Sequence, residues 1–156
     1  MEQWEEQFFT DSFKLGRLYR SCMQRASHEL RLAPNEISVL LFLSRHAPQQ
    51  DTATDIAAAH GISKALVTRC VDNLHRRGLL DSERDTADRR IVHLRLSGEG
   101  SVVADELVRR CGRMARQLHE GVAQEELETV HRIMQKMQHN LDALLEDMES
   151  QVSQPK

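Results

Sequence analysis

Between Thr52 and Leu96 the spacing of apolar residues switches from a helical to a strand period, and few folds accommodate that switch in so short a stretch. From Ile62 to Gly78 the residues Leu66, Val67, Cys70, Val71 and Leu74 recur at helical spacing and form a buried stripe. From Ile91 to Leu96 the pattern alternates, with Ile91, His93 and Arg95 on one side and Val92, Leu94 and Leu96 on the other. A short helix through Ile56, Ala57 and Ala58 comes first, opened by Thr52 with Asp55 in a capping-box arrangement and closed by Gly61. Ser63 then caps the 62–78 helix, and Gly78 supplies the left-handed residue that stops it. Helix, glycine turn and helix make a helix-turn-helix. Strands at Leu79–Arg84 and Ile91–Leu96, joined by Asp85-Thr86-Ala87-Asp88-Arg89-Arg90, add a hairpin wing. The predicted fold class is mainly α with a small β-hairpin wing: a winged helix-turn-helix with long N- and C-terminal dimerisation helices.

The residues off the buried stripe carry the chemistry. Ser63, Lys64, Ala65, Thr68, Arg69 and Asn73 include the types that read base edges and phosphates, which makes this the candidate recognition helix. Arg89 and Arg90 at the wing tip are candidates for an adjacent minor groove, where negative potential favours arginine. Arg84 and Arg95 flank the wing, either as phosphate contacts or as partners of neighbouring acids. The formal net charge of -3 does not exclude nucleic acid, because binding depends on where charge lies. Residues 52–95 hold eight basic and six acidic side chains, so this stretch is positive while the remainder is acidic.

Both flanks read as long helices. Trp4, Phe8, Leu15, Leu18, Cys22, Ala26 and Leu30 keep a three-or-four spacing, with Phe9, Phe13, Tyr19 and Met23 widening the face. A helix from Trp4 to His28 is about 37 Å long, more than a small domain is wide. A second helix begins at Pro34 with Glu36 in its first turn and is apolar nearly all round through Ile37, Val39, Leu40, Leu41, Phe42 and Leu43, as a central buried helix must be. Ser97 caps a fifth helix bearing Val103, Leu107, Cys111, Met114 and Leu118, whose first turn Gly98 and Gly100 are expected to weaken. From Gln124 onward Leu127, Val130, Met134, Met137, Leu141, Leu144 and Met148 follow a coiled-coil seam. Terminal helices with this much apolar face point to a homodimer, whose two recognition helices would read half-sites roughly 34–36 Å apart. The predicted organisation is dimerisation helices over 1–32 and 98–150, a DNA-binding lobe over 33–97 and a frayed tail over 151–156.

Several function classes are excluded or disfavoured. There is no G-x-S-x-G, no H-E-x-x-H, no phosphate loop and no Cys/His pair close in sequence, so no enzyme is expected and no catalytic residue or cofactor is assigned. Aromatic residues make up only 4%, too few for a stacking platform for single strands. No stretch approaches a membrane span, and the acidic start Met1-Glu2-Gln3-Trp4-Glu5-Glu6 has the wrong charge for a signal peptide; the cytoplasm is expected, with no membrane partner. Cys22, Cys70 and Cys111 form no CxxC, and none of the eight histidines stands at i, i+4 to another, so no metal site is assigned. The Met134, Met137 and Met148 stripe reads as helix seam rather than copper site.

Ser63-Lys64-Ala65-Leu66-Val67-Thr68-Arg69-Cys70-Val71-Asp72-Asn73-Leu74, then Arg77-Gly78-Leu79-Leu80, then Asp88-Arg89-Arg90 through Leu94-Arg95-Leu96-Ser97, resembles the MarR family of bacterial winged-helix regulators. The order of helices over nearly the whole chain fits as well. The resemblance implies an obligate homodimer, a palindromic double-stranded DNA operator near a promoter, and repression relieved by a small-molecule effector or an oxidant. The family's wing pattern, Asp, any residue, Arg, falls on Asp88 and Arg90; it implies that Arg90 enters the minor groove, that Asp88 orders the loop and that Arg89 meets phosphate. The family's effector pocket would draw on Tyr19, Met23, His46 and Met114, and a first-helix cysteine sensor would be Cys22. This chain departs from the family with Ala65 and Leu66 where many relatives carry hydroxyls, and with Ala33 in place of a Ser/Thr cap before Pro34. Rival readings keep the fold: an oxidant- or metal-responsive regulator, or a winged helix that grips a protein.

Overall fold

The computed structural model describes the backbone of residues 3–152, and the side chains of residues 6–145, 147 and 148. Six helices and one hairpin follow in order: α1 (Gln3–Leu30), α2 (Pro34–His46), α3 (Ala53–His60), α4 (Lys64–Arg76), β1 (Leu80–Arg84), β2 (Val92–Leu96), α5 (Gly98–Leu118) and α6 (Gln124–Val152). The fold is the expected one, mainly α with a two-stranded antiparallel hairpin. α6 runs to Val152, into the stretch expected to fray; residues 153–156 of that tail, and the Trp4 side chain expected on the first stripe, lie outside what is described. No helix among the described residues is long and apolar enough to cross a membrane.

By its internal contacts the chain divides into two compact units, Met1–Gly112 and Arg113–Lys156. The first contains α1 to α4, the hairpin and most of α5, and its core is built on α2. Ile37, Val39, Leu40, Leu41, Phe42 and Leu43 of α2 are all buried, as its apolar circumference requires. Met23 and Ala26 of α1, Ile56 of α3, Val67, Cys70, Val71 and Leu74 of α4, Leu79, Leu80 and Leu94 of the wing, and Ala104 and Leu107 of α5 complete one cluster. In the second unit the α6 seam lies open to solvent in the single chain, with Val130, Met134, Met137, Leu141, Leu144 and Met148 all exposed.

The helix ends follow local chemistry. Thr52 Oγ1 accepts the Asp55 amide at 3.2 Å while Asp55 Oδ2 accepts the Thr52 amide at 2.9 Å, the reciprocal capping box that the sequence suggested. Gly61 and Gly78 take left-handed φ values of 60° and 69°, so each ends a helix at low steric cost. α2 solves its missing hydroxyl cap differently: Glu36 Oε2 accepts the Ala33 amide at 2.8 Å, so the carboxylate covers one orphan donor by itself.

Gly100, expected to weaken the start of α5, is also a packing requirement. A Cβ there would stand 1.9 Å from the Leu79 carbonyl oxygen, so the helix start and the entrance to β1 approach closely only because residue 100 has no side chain. Ser97 fixes the same junction: its Oγ accepts the Gly100 amide at 2.9 Å and donates to the Gly78 carbonyl at 2.6 Å. Its own amide donates to the Leu79 carbonyl at 3.2 Å.

Candidate nucleic-acid interface

α4 presents two faces because its apolar residues keep a helical stripe. Val67, Cys70, Val71 and Leu74 are buried, while Lys64, Ala65, Thr68 and Arg69 are exposed. Ser63 is exposed too, and its Oγ accepts the Leu66 amide at 3.2 Å, making it the cap of this helix. The Thr68 hydroxyl donates to the Lys64 carbonyl at 2.9 Å, which satisfies its hydrogen and leaves its oxygen lone pairs outward as acceptors. Asn73, grouped by sequence with the base-reading residues, is corrected: its Nδ2 donates to Glu36 Oε1 at 2.9 Å and its Oδ1 accepts from Arg76. It sits at the edge of the buried stripe and ties α4 to α2.

The wing tip is closed by its own carboxylates. Asp85 Oδ1 accepts the Ala87 amide at 2.7 Å and the Asp88 amide at 2.8 Å. Asp88 Oδ1 accepts the Arg90 amide at 3.0 Å, and backbone bonds link Asp85 with Ile91 and Ile91 with Asp88. The amide of Asp88 first, then His93 and the amide of Ala87, hold the Asp85 carboxyl below the ordinary carboxylate range. This leaves Arg89 and Arg90 exposed, and among the described residues neither guanidinium is in an ion pair. Arg84 is likewise exposed and unpaired, whereas Arg95 lies 3.5 Å from Glu83, as the alternative reading of these flanking arginines allowed.

Lys64 and Thr68 of α4 and Arg90 of the wing come together. They line one open groove of about 670 Å³, which Thr52 and Thr54 from the start of α3 also line. Two carboxylates also face it, Asp55 and Asp72. The hydroxyl and amide of Thr52 hold the Asp55 carboxyl below its usual range, and its charge is directed at the N-terminus of α3. Ser63, Ala65, Arg69, Arg84, Asp88 and Arg89 do not line the groove.

Sequence reasoning missed one cluster beside the wing. His93 of β2 lies with Nδ1 2.6 Å from Asp51 Oδ1 and Nε2 3.2 Å from Asp85 Oδ2. The alternation of β2 placed His93 on the right face, but nothing local to the hairpin announces Asp51, which the fold brings from 42 residues away.

The residues named for an effector pocket fall in different surroundings. Met23 is packed in the core at 6% exposure, Tyr19 is 43% exposed, and His46 stacks on Phe42 at a ring-centroid distance of 4.6 Å. Met114 lies half-buried on the part of α5 that belongs to the second unit. Burial raises the Tyr19 phenol above its ordinary pKa, with the Cys111 thiol nearby adding to the effect. Cys22, the candidate redox residue, is half-buried beside Cys111, whose thiol burial pushes up; burial does the same to Cys70 in the core. Among the described residues, no group of three or more His, Cys, Asp or Glu is placed to hold a metal ion.

Comparison with known proteins extends this picture. Residues 32–91 match the model of the MarR family. Among solved structures, the transcriptional regulator PA3341 superposes with a TM-score of 0.75 at 23% identity, over 87% of this chain and 98% of that one. CouR from Rhodococcus jostii RHA1, solved with p-coumaroyl-CoA, gives 0.72 at 19% identity, over 88% of this chain and 95% of that one. A mutant of MepR from S. aureus, bound to an oligodeoxyribonucleotide, gives 0.57 at 21% identity, over 90% and 99%. At these identities the structural likeness speaks for the fold.

Proposed function

Because its winged lobe is of the MarR family and its fold is that of the family's transcriptional regulators, we propose that this protein binds double-stranded DNA in a sequence-specific manner as a homodimer and represses transcription until a small-molecule effector releases it. One observation carries the reading: Lys64 and Thr68 of α4 line a single groove with Arg90 of the wing, which lies 22 residues beyond Thr68 in the chain. α4 enters the major groove with Ser63, Lys64, Ala65, Thr68 and Arg69 toward bases and phosphates. Arg90 reaches the minor groove, Arg89 and Arg84 meet phosphate, and Asp88 orders the loop. The MepR complex with an oligodeoxyribonucleotide, on the same fold, supports DNA as the partner.

The dimer reading is supported by two apolar faces, each open in the single chain. α1 exposes Phe9, Phe13, Leu15 and Leu18, and α6 exposes its heptad seam; a second copy is the occupant that matches a self-complementary coiled-coil pattern. CouR with p-coumaroyl-CoA supports a small organic molecule as the class of effector. Such a molecule acts through different affinities for two spacings of the recognition helices. Burial raises the Cys111 thiol pKa, which disfavours Cys111 as the nucleophile of an oxidant-responsive alternative.

Fluorescence anisotropy of the purified protein on intergenic DNA upstream of its own gene, against a scrambled duplex at several salt concentrations, tests this function. The expected result is preference for the native duplex, a salt slope near −0.9 per neutralised phosphate, and collapse of binding in Arg90→Ala. Equal, weak binding to both duplexes that the substitution leaves unchanged would refute it. Sedimentation of the same sample reads the oligomeric state.

A further inference from the structure

We propose that His93 is a positioning residue of the wing, acting as an imidazolium that fastens the hairpin to the loop before α3. The geometry is specific. Both ring nitrogens face carboxylate oxygens, Nδ1 toward Asp51 at 2.6 Å and Nε2 toward Asp85 at 3.2 Å. An ionised carboxylate only accepts hydrogen bonds, and a neutral imidazole carries a single N–H. Neutral His93 therefore satisfies one contact and sets a lone pair against an oxygen at the other; only the protonated ring donates to both.

The two carboxylates do different work. Asp51 is almost fully buried at the end of the α2–α3 loop, and its backbone carbonyl accepts the Leu94 amide at 2.8 Å, so it is anchored to the lobe. Asp85 holds the wing tip through the Ala87 and Asp88 amides with its other oxygen. His93 is thus the middle member of a chain that runs from the lobe, through the ring, to the loop that presents Arg89 and Arg90. The remaining charged groups near the ring are Glu83, its cross-strand partner on β1, Asp55 on α3, and Arg84 and Arg95, which share the shallow cleft with it. Acidic groups outnumber basic ones there, and the field favours the cation. Asp51 first, then Asp85, raise the imidazole pKa above its ordinary value.

The sign follows from linkage. A raised folded-state pKa means that the latch is fully formed below the ordinary imidazole range and is lost as pH rises through the raised value. On the acid side the contact to Asp85 is lost as pH falls through that carboxyl's lowered value. The consequence for DNA affinity rests on the function proposed above; the latch itself does not.

The experiment has two arms. In the first, histidine-ring and amide NMR spectra of the free protein are titrated from about pH 6 to about pH 9. His93 is expected to titrate above the ordinary value of about 6.5, and the Ala87, Asp88 and Arg90 amides to move with the same midpoint. Asp51→Asn and Asp85→Asn each lower that midpoint, which keeps the test open should a His93 variant fail to fold. In the second arm, affinity for the upstream intergenic duplex falls by roughly fivefold to tenfold across the midpoint, the loss expected for one hydrogen bond of typical net strength. His93→Gln abolishes that pH dependence, which separates His93 from His75 beside the groove. A midpoint at or below the ordinary value, wing amides that do not follow it, or an unchanged pH profile in His93→Gln overturns the proposal. Wing amides that titrate with His93 in a protein that binds no duplex at any pH support the latch and overturn the DNA reading.

Discussion

Gly100→Ala opposes two general rules, and the structure decides which prevails. Replacing a helical glycine by alanine stabilises an exposed helix by about 1 kcal/mol, because glycine gives up more backbone freedom on folding. At residue 100 the new Cβ would stand 1.9 Å from the Leu79 carbonyl oxygen and 2.9 Å from its carbon. Ordinary carbon–oxygen contacts lie near 3.3–3.6 Å, so α5 and the β1 entrance must part by about 1.4 Å or more. Overpacking of this kind costs about 1–3 kcal/mol. The separation also breaks the bond from the Ser97 amide to that carbonyl, about 1 kcal/mol more. After the propensity gain the net loss is about 1–3 kcal/mol, a fall in Tm of about 3–10 °C for a chain of this length. Gly98→Ala is the internal control, since nothing lies within 4 Å of its Cβ; it is expected to match wild type or exceed it by up to about 1 kcal/mol. Thermal and urea unfolding followed by circular dichroism, at one protein concentration for all three proteins, makes the comparison. A Gly100→Ala protein as stable as Gly98→Ala would refute the close approach of α5 to Leu79.

Three further outcomes are expected. Glu36→Ala removes the acceptor of both the Ala33 amide and Asn73 Nδ2 at a site 6% exposed, and should cost about 2–4 kcal/mol by urea unfolding. Asn73→Ala should cost about 1 kcal/mol yet leave the DNA affinity of the folded protein unchanged, because that side chain is engaged by Glu36 of α2; a selective loss of affinity would place it in the interface. The raised pKa values of Cys70 and Cys111 keep both thiols protonated at neutral pH, so iodoacetamide should alkylate them far more slowly in the folded than in the urea-unfolded protein, read by mass spectrometry. Equal rates in the two states would count against their burial.

Local pattern made most of the fold legible. The stripe on α4, the apolar circumference of α2, the Thr52–Asp55 box and the glycines at 61 and 78 are decided within a few residues, and each stands where the sequence put it. The candidate groove was legible in part: Lys64, Thr68 and Arg90 were named from residue type and spacing, and the fold brings them together. What escaped is the identity of partners. Asn73 sits at the margin of the α4 stripe, where periodicity cannot say whether an amide faces solvent or a neighbouring carboxylate 37 residues earlier. Gly100 has a weakening effect on a helix in isolation and acquires its packing role only when Leu79 is laid against it. Cys22 and Cys111 become neighbours only through the pairing of α1 with α5.

The wing shows why such distant polar contacts concentrate at the interface. Of its ten strand residues only Leu80 and Leu94 are buried, so apolar burial binds the hairpin to the lobe but gives little direction to its tip. Hydrogen bonds are directional, and the ones that orient this hairpin lie at its base and side: Ser97 to Gly78 and Leu79, Asp51 to Leu94, and His93 between Asp51 and Asp85. In the proposed DNA complex, a guanidinium that must find a groove a few ångströms wide depends on the aim of its loop, and that aim rests on a few polar contacts. Substitutions at Asp51 or Ser97, neither of which lines the groove, should therefore weaken DNA binding more than their effect on global stability accounts for.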